Sequence, residues 1–402
     1  MNAGPAVERR KLPFAATEAR RQERAFLDRE MHRCHRASRA GRHSPLAVKT
    51  RGPRRSLSDI AENGYPLHTR HTRRYHPTME SAVHPIPGTD YPRTFHEMDQ
   101  WFRTDAACRD YVRRLRWPNG FVCAECGAAV EPWTMSRDRF RCRACESETT
   151  LTAGTVFQDT RKPLRLWFLA MWFITSQKNG VSALGLQREL GLGSYETAWT
   201  WLHKLRRAMV RPGRDNLSGE IEVDETYVGG AEEGKRGRGA ETKAIIAVAA
   251  ENSGRGIGRI RLRRIEDVSA DTLIRFVRDV VVPGAMIHTD GWRGYNGLAA
   301  AGYRRHVSVI DDSPDPAHEV MPRVHLVASL LKRWLVGTHQ GGIQHPHLDY
   351  YLDEFTFRFN RRRSQARGLL FHRLAQQAVA ISPAPYKSII GGSSPRPAVE
   401  RV

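Results

Sequence analysis

The sequence predicts an α/β protein whose largest domain holds a β-sheet, preceded by a small metal-binding module and a helical segment. Three observations support this prediction. Strand patterns alternate with amphipathic helix patterns after residue 216, four cysteines form two close pairs, and helical periodicity fills the stretch between these regions. At 402 residues the chain is long enough for more than one domain.

The composition indicates a polyanionic partner. Lys and Arg number 64 against 43 Asp and Glu, which gives a formal net charge of +21. A charge of this size favours nucleic acid as the partner, with an anionic membrane surface as the rival. The strongest apolar run, 166–175, is too short to span a bilayer, and the N-terminus lacks the apolar region of a signal peptide. We therefore expect a soluble, intracellular protein that does not enter membranes.

Residues 1–88 are expected to be a basic, disordered extension. Residues 1–80 carry 18 Lys and Arg against 8 Asp and Glu and almost no periodic apolar pattern, so burial cannot offset the entropy lost on ordering. Two interpretations stay open: a DNA-binding arm, or sequence upstream of the true start, since Met79 directly precedes the first patterned residues. Residues 379–402 are likewise expected to be a disordered tail.

Residues 89–160 are predicted to form an N-terminal helix, over 94–115, and a cysteine module. The module contains two Cys-x-x-Cys pairs separated by 15 residues: Cys123, Cys126, Cys142 and Cys145. Two such pairs present four thiolates to one tetrahedral Zn²⁺, in a closed site whose role is structural. A redox dithiol is the alternative, and the presence of two pairs at this spacing argues against it.

Residues 161–215 are predicted to form a helical segment that resembles a DNA-binding domain. A helix pattern over 182–190 is followed by a glycine-containing turn and a longer, basic helix pattern over 195–210. This is the outline of a helix-turn-helix, and an ordinary αα-hairpin fits equally well. Basic side chains on the second helix favour DNA contact: Lys204, Arg206 and Arg207.

Residues 216–378 follow the order three strands, helix, strand, helix, strand, then two helices, which is compatible with an RNase H-like sheet. The predicted strands are 221–228, 243–250, 257–265, 286–290 and 305–310. The predicted helices are 269–281, 294–301, 323–336 and 346–360. The glycine-rich, basic loop at 229–239 would suit phosphate contact, although a solvated hairpin loop is the commoner explanation for this composition.

Two aspartates lie within or at the end of predicted strands. Strand alternation places Asp224 on the same face as Glu222, and Asp290 follows the strand that begins at Met286. Carboxylates on neighbouring strands can hold a divalent metal such as Mg²⁺, as two-metal sites do in phosphoryl transfer. Ordinary aspartates at strand edges or turns are the alternative.

Six motifs occur in the order seen in bacterial insertion-sequence transposases of the zinc-ribbon, DDE-type, ISXO-like group, and the chain resembles this family from about residue 91 to about 374. The motifs are Cys123–Cys145, 151–157, 199–204, 222–230, 288–295 and 331–339. The resemblance implies an RNase H-like catalytic domain, structural Zn²⁺ and catalytic Mg²⁺ or Mn²⁺. It also implies double-stranded DNA, as element ends and target, for the partner, a homo-oligomer in the synaptic complex, and a nucleoid-associated location in the cytoplasm.

The resemblance also implies roles for single residues. Asp224 and Asp290 match the first two catalytic acids, Lys332 matches a lysine of the catalytic domain, and Arg333 beside it is expected to contact DNA. The third metal ligand of the group, an Asn or Glu, stands two residues before that lysine, where this chain has Leu330. A leucine offers no lone pair to a metal.

The departure at Leu330 leaves two functions open. The first is an active transposase that cuts and joins DNA by direct transesterification. The second is a catalytically impaired remnant that acts only as a zinc-ribbon DNA-binding protein. A nuclease or Holliday-junction resolvase with the same sheet is less consistent with the cysteine module.

Overall fold

The computed structural model describes most of the chain after residue 83, over the ranges 84–211, 213–229, 243–254, 256–308, 320–340 and 343–391. The predicted extension up to residue 83, most of the glycine-rich loop and the tail beyond 391 lie outside these ranges. The described residues form two compact units. The first comprises residues 117–151, and the second combines 85–116 with 152–391.

The first unit is a three-stranded antiparallel sheet in the order β1-β2-β3. Its strands are β1 (Trp133–Met135), β2 (Arg139–Arg141) and β3 (Glu148–Thr150). Its apolar core includes the touching rings of Trp117, Phe121 and Phe140. A core this small rarely stabilises a fold without a metal or a disulfide.

The second unit contains ten α-helices and five strands among its described residues. The helices are α1 (Phe95–Trp101), α2 (Asp105–Arg116), α3 (Leu164–Ser176), α4 (Ala183–Leu190), α5 (Tyr195–Ala208), α6 (Ala270–Val280), α7 (Pro322–His339), α8 (Leu348–Asn360), α9 (Arg367–Ala380) and α10 (Tyr386–Ile390). The strands are β4 (Glu220–Val228), β5 (Ala244–Ser253), β6 (Gly256–Ile265), β7 (Met286–Thr289) and β8 (Arg304–Val307). Short 3₁₀ turns include Arg293–Leu298, which replaces the helix predicted over 294–301.

The five strands form one sheet in the order β6-β5-β4-β7-β8. β4, β5 and β6 pair antiparallel, whereas β7 and β8 run parallel to β4. This is the strand order of an RNase H-like fold, and the predicted fold class is confirmed. Apolar side chains from α7 and α8 cover one face of the sheet, and those of α6 cover the other.

The helix predicted over 94–115 is two helices because Thr104 starts a new one. The hydroxyl of Thr104 accepts a hydrogen bond from the backbone N–H of Ala107 at 3.2 Å, as an N-cap does. Both helices belong to the second unit, where α9 packs against α2 and α3 and the ring of Phe371 contacts those of Phe102 and Phe168. The prediction for residues 89–160 instead placed this helical stretch with the cysteine module, because nothing in the local sequence indicates that the distant α9 covers it.

The disordered tail predicted over 379–402 is wrong for its first part. α9 continues to Ala380, and α10 follows with Ile389 fully buried.

α5 is joined to α8 by a buried ion pair. The side chains of Arg206 and Glu354 are 2% and 0% exposed, and Arg206 Nε donates to Glu354 Oε2 at 2.8 Å. Arg358 donates to the second carboxylate oxygen and also to the carbonyls of Ile174 and Gln177, the unpaired acceptors at the end of α3. Glu354 and Arg358 on α8 together therefore join three helices.

Burial by itself would raise the pKa of Glu354. The charges of Arg358 and Arg206, with a smaller effect of His339, outweigh burial and lower it to about 2. The carboxylate is therefore ionised in the fold, and its interactions stabilise the folded state at neutral pH.

Replacing Glu354 with Gln should destabilise the fold strongly, since Arg206 and Arg358 would be left without their counter-charge. We expect the free energy of unfolding in denaturant titrations to fall by about 3–5 kcal/mol. Asp271→Ala, which breaks an exposed pair with Arg275, should cost at most about 1 kcal/mol. The difference between wild type and Glu354→Gln should persist above the usual carboxyl pKa of 4.5 and shrink as the pH falls towards 2. A pH-independent difference would contradict this account.

Candidate functional site

The four cysteines of the first unit converge on one point. Their sulfur atoms all lie within 4.8 Å of one another, with Sγ–Sγ distances of 3.7 Å for Cys123–Cys145 and 3.8 Å for Cys126–Cys142. Tetrahedral Zn–S bonds of about 2.3 Å require sulfur separations of about 3.8 Å. The predicted cysteine set therefore fits a structural Zn²⁺.

The two cysteine turns have matching backbones. The N–H of Cys123 bonds to the carbonyl of Ala128, and the N–H of Cys142 bonds to that of Ser147. In each turn the residue after the second cysteine has a left-handed backbone, with φ of 72° at Gly127 and 59° at Glu146. Backbone N–H groups, chiefly that of Cys145, lower the pKa of Cys142 to about 7. The turn thus favours the thiolate that a metal binds.

Asp224 and Asp290 are brought to neighbouring positions of the sheet. β4 and β7 pair in parallel with Glu222 opposite His288, and continuing this register by two residues places Asp290 beside Asp224. Both side chains are half-buried. Asp224 lies on the α7 face of β4, because its partner on β5 is Val248, which packs against α7 in the core.

The turn that carries Asp290 is held by hydrogen bonds at both ends. The carboxylate of Asp290 accepts from the backbone N–H of Trp292 at 3.0 Å, and its carbonyl accepts from the hydroxyl of Thr289 at 2.9 Å. Arg305 on β8 donates to this carbonyl at 3.1 Å and to that of Trp292 at 3.3 Å. The position of Asp290 is thus fixed by the turn and by a neighbouring strand.

Tyr295 lies behind the two aspartates on the opposite face of the sheet. Its hydroxyl donates to Glu225 Oε1 at 2.5 Å, and the residue is fully buried. Burial, then the charge of Glu225 and the smaller effects of Asp224 and Asp290, raise the pKa of Tyr295 well above its ordinary value. The phenol therefore stays protonated at neutral pH and continues to donate to Glu225.

Glu222 on β4 caps the first turn of α7, the helix that should supply a third ligand. This buried carboxylate accepts from the backbone N–H groups of Arg323 and Val324 at 2.7 and 3.0 Å and pairs with the Arg323 guanidinium at 2.7 Å. Met321, at the N-cap position, makes no side-chain cap, so β4 supplies the cap that the local sequence lacks.

Leu330 is partly buried and packs, with Trp334 one turn later, against the core beneath α7. The helix has no Asp, Glu or Asn. Within the described residues, the cysteines are the one group in which three or more His, Cys, Asp or Glu ligand atoms lie within 4.8 Å of one another. The side chain at the position predicted for a third ligand therefore packs against the core and offers no ligand atom.

The predicted DNA-binding side chains have very different exposure. Lys332 and Arg333 are exposed on α7. Lys204 and Arg207 are half-buried, and Arg207 donates to the hydroxyl of Ser382 at 3.2 Å.

Arg206 does not reach the surface, because it is buried against Glu354 and its guanidinium lies 4.1 Å from the centre of the Tyr351 ring. The prediction that Arg206 contacts DNA is therefore corrected: its role is structural. Of the residues in α5, only Glu196 is exposed. A recognition helix needs an open face for the major groove, so this arrangement favours the αα-hairpin interpretation.

Sequence reasoning missed three residues that position the site: Glu222, Tyr295 and Arg305. For Glu222 a signal existed, because strand alternation placed a second acid on the face of Asp224, two residues earlier. Tyr295 and Arg305 gave no local signal, since their partners lie on other strands.

An RNase H-like sheet with paired aspartates and a separate four-cysteine ribbon defines the class of protein. Residues 216–360 match the ISXO2-like transposase domain, and residues 103–148 match the transposase zinc-ribbon domain. The predicted resemblance to zinc-ribbon insertion-sequence transposases is confirmed in these two matched ranges: the chain carries an ISXO2-like transposase domain and a transposase zinc-ribbon domain.

The chain is also similar to an uncharacterised protein in transposable element ISH50 of Halobacterium salinarum, with 27% identity over 277 residues, covering 64% of this chain and 91% of the relative. Among solved structures it is similar to the catalytic core domain of BIV integrase, at 18% identity and a TM-score of 0.25, over 38% of this chain and 89% of that one. It is similar to a chain of the Mos1 strand transfer complex at 12% identity and a TM-score of 0.23, over 58% of this chain and 80% of that one.

In the described part of the chain, no helix has the length and apolarity needed to cross a membrane.

Replacing Cys142 with Ser should abolish zinc binding, because a hydroxyl cannot replace the thiolate that completes the tetrahedral set. Elemental analysis of the purified wild-type protein should find about one zinc per chain. The variant should hold close to none, whereas Cys108→Ser, which alters a buried cysteine outside this set, should keep its zinc. Full zinc content in Cys142→Ser would rule out the proposed site.

Proposed function

We propose that this protein binds the ends of an insertion sequence and catalyses metal-dependent DNA cleavage and strand transfer by direct transesterification. The observation that carries the proposal is the parallel pairing of β4 with β7 in a transposase domain. Continued two residues past Glu222 and His288, this register supports Asp224 and Asp290 as neighbours. Carboxylates so placed suit a shared hard cation, and no serine or tyrosine nucleophile is required.

Asp224 and Asp290 would hold the catalytic Mg²⁺ or Mn²⁺, and the four cysteines would hold Zn²⁺. When bound, the divalent cation activates a water or a 3′-hydroxyl and stabilises the leaving oxygen. Mg²⁺ in such sites is commonly held by one or two carboxylates together with waters and substrate phosphates. Two protein carboxylates are therefore a workable set even with leucine at position 330.

Exposed cations would bind the DNA backbone. Lys332 and Arg333 lie on α7, the helix that packs over β4 and β5. They would neutralise phosphates, as would the outer parts of the half-buried Lys204 and Arg207, and binding should weaken steeply as salt is raised. Joining two element ends requires at least two chains, so we propose a homo-oligomer in the synaptic complex and a cytoplasmic, nucleoid-associated location.

One observation favours a second candidate function. α7 has no Asp, Glu or Asn, and Leu330 at the predicted third position is partly buried against the core. A protein with this defect would bind element ends through its zinc ribbon without cutting them.

Cleavage of labelled element ends with Mg²⁺ or Mn²⁺ decides between these functions. Asp224→Ala should abolish cleavage while retaining DNA binding, because it removes a metal ligand rather than a phosphate contact. Asp271→Ala, at an exposed carboxylate on α6, should cut like wild type. Tight binding by wild type with no cleavage under either metal would reject the enzyme in favour of the remnant.

Leu330→Asn should raise metal-dependent cleavage, because it supplies the oxygen ligand that the third position lacks. It should also cost about 1–3 kcal/mol of stability, since an amide replaces a leucine packed on the core. Leu330→Met keeps the volume without adding a hard ligand, so it should leave cleavage unchanged. If wild type cuts well and Leu330→Asn does not improve on it, position 330 is not the third ligand position.

A further inference from the structure

Arg305 makes an unusual number of contacts with the turn that carries Asp290. Its Nε donates to the hydroxyl of Thr289 at 3.0 Å, and one terminal nitrogen donates to the side-chain oxygen of Asn296 at 2.7 Å. The other terminal nitrogen donates to the carbonyls of Asp290 and Trp292 at 3.1 and 3.3 Å. One guanidinium therefore holds residues before, within and after the turn.

These contacts are specific to the planar fork of arginine. Arg305 pairs with Ile287 across β7 and β8, so its side chain starts two residues before Thr289 and runs along β7 to the turn. Three different nitrogens of the guanidinium donate to these acceptors, which the single nitrogen of a lysine ammonium cannot reproduce. Thr289 is fully buried, whereas Arg305 is half-buried, so the guanidinium reaches the threonine hydroxyl from the more open side.

From this geometry we infer that Arg305 is a positioning residue for the catalytic metal site, which clamps the exit of β7 so that the Asp290 carboxylate stays beside Asp224. The inference rests on the proposed function, because it assigns a purpose to the clamp only if the two aspartates bind metal. Arg305 itself does not touch metal or DNA in this role.

The test measures Mn²⁺ binding by electron paramagnetic resonance on zinc-loaded, full-length protein, with Asp224→Asn defining binding outside the site. Arg305→Lys keeps the positive charge but loses the planar guanidinium. The Mn²⁺ concentration at half-saturation should therefore rise by roughly tenfold or more, as it does when other residues that orient a metal ligand are replaced. Arg304→Lys is the matched control, since Arg304 is exposed on the same strand and its guanidinium bonds to the carbonyl of Gly284. It should bind Mn²⁺ like wild type.

Two further measurements separate positioning from a general loss of stability. In zinc-loaded protein without Mn²⁺, hydrogen exchange of the peptide spanning residues 286–296 should speed up in Arg305→Lys and not in Arg304→Lys. The melting temperature of Arg305→Lys should stay well above the assay temperature, so that the Mn²⁺ data describe folded protein.

Equal Mn²⁺ half-saturation in wild type and Arg305→Lys would overturn the inference and leave the aspartate site standing. Wild type that binds no more Mn²⁺ than Asp224→Asn would overturn the proposed function, and the role of Arg305 with it.

Discussion

The second unit depends on the carboxylate of Glu354. Arg206 from α5 and Arg358 from α8 share it in a site closed to water, and Arg358 also satisfies the last carbonyls of α3. A buried charge is tolerable only when it is paired and fully hydrogen-bonded, so these helices have little freedom to shift without breaking the set. α8 in turn packs on β6, which extends the constraint to the sheet that carries the aspartates.

The same constraint explains why the predicted DNA contact of Arg206 is wrong. Lys204, Arg206 and Arg207 follow one another in a pattern typical of a solvated, phosphate-binding face. The partner of Arg206, Glu354, lies 148 residues further along the chain, and the sequence near residue 206 does not indicate it. Local sequence reports how many charges a helix has, whereas burial decides what they do.

The features that were predicted correctly have local signals. The cysteine spacing fixed the ribbon because each pair is one tight turn, and alternation in β4 placed Asp224 on a definite face. The order of strands along the chain was predicted from the patterns. Most observed strand ends lie within one or two residues of the predicted ends. What could not be predicted was the support around the site: the cap from Glu222, the Tyr295–Glu225 bond and the reach of Arg305 all depend on segments that meet only in the fold.

The cap that Glu222 gives to α7 also bears on the order of folding. The hydrogen bond from Arg323 to this carboxylate joins residues 101 apart, and α7 has no N-cap of its own. Contacts between distant segments form slowly, because the chain must close a long loop before they return any stabilisation. The cysteine turns, which bond over a few residues, can form early. We therefore expect the zinc-binding turns to form before Glu222 caps α7.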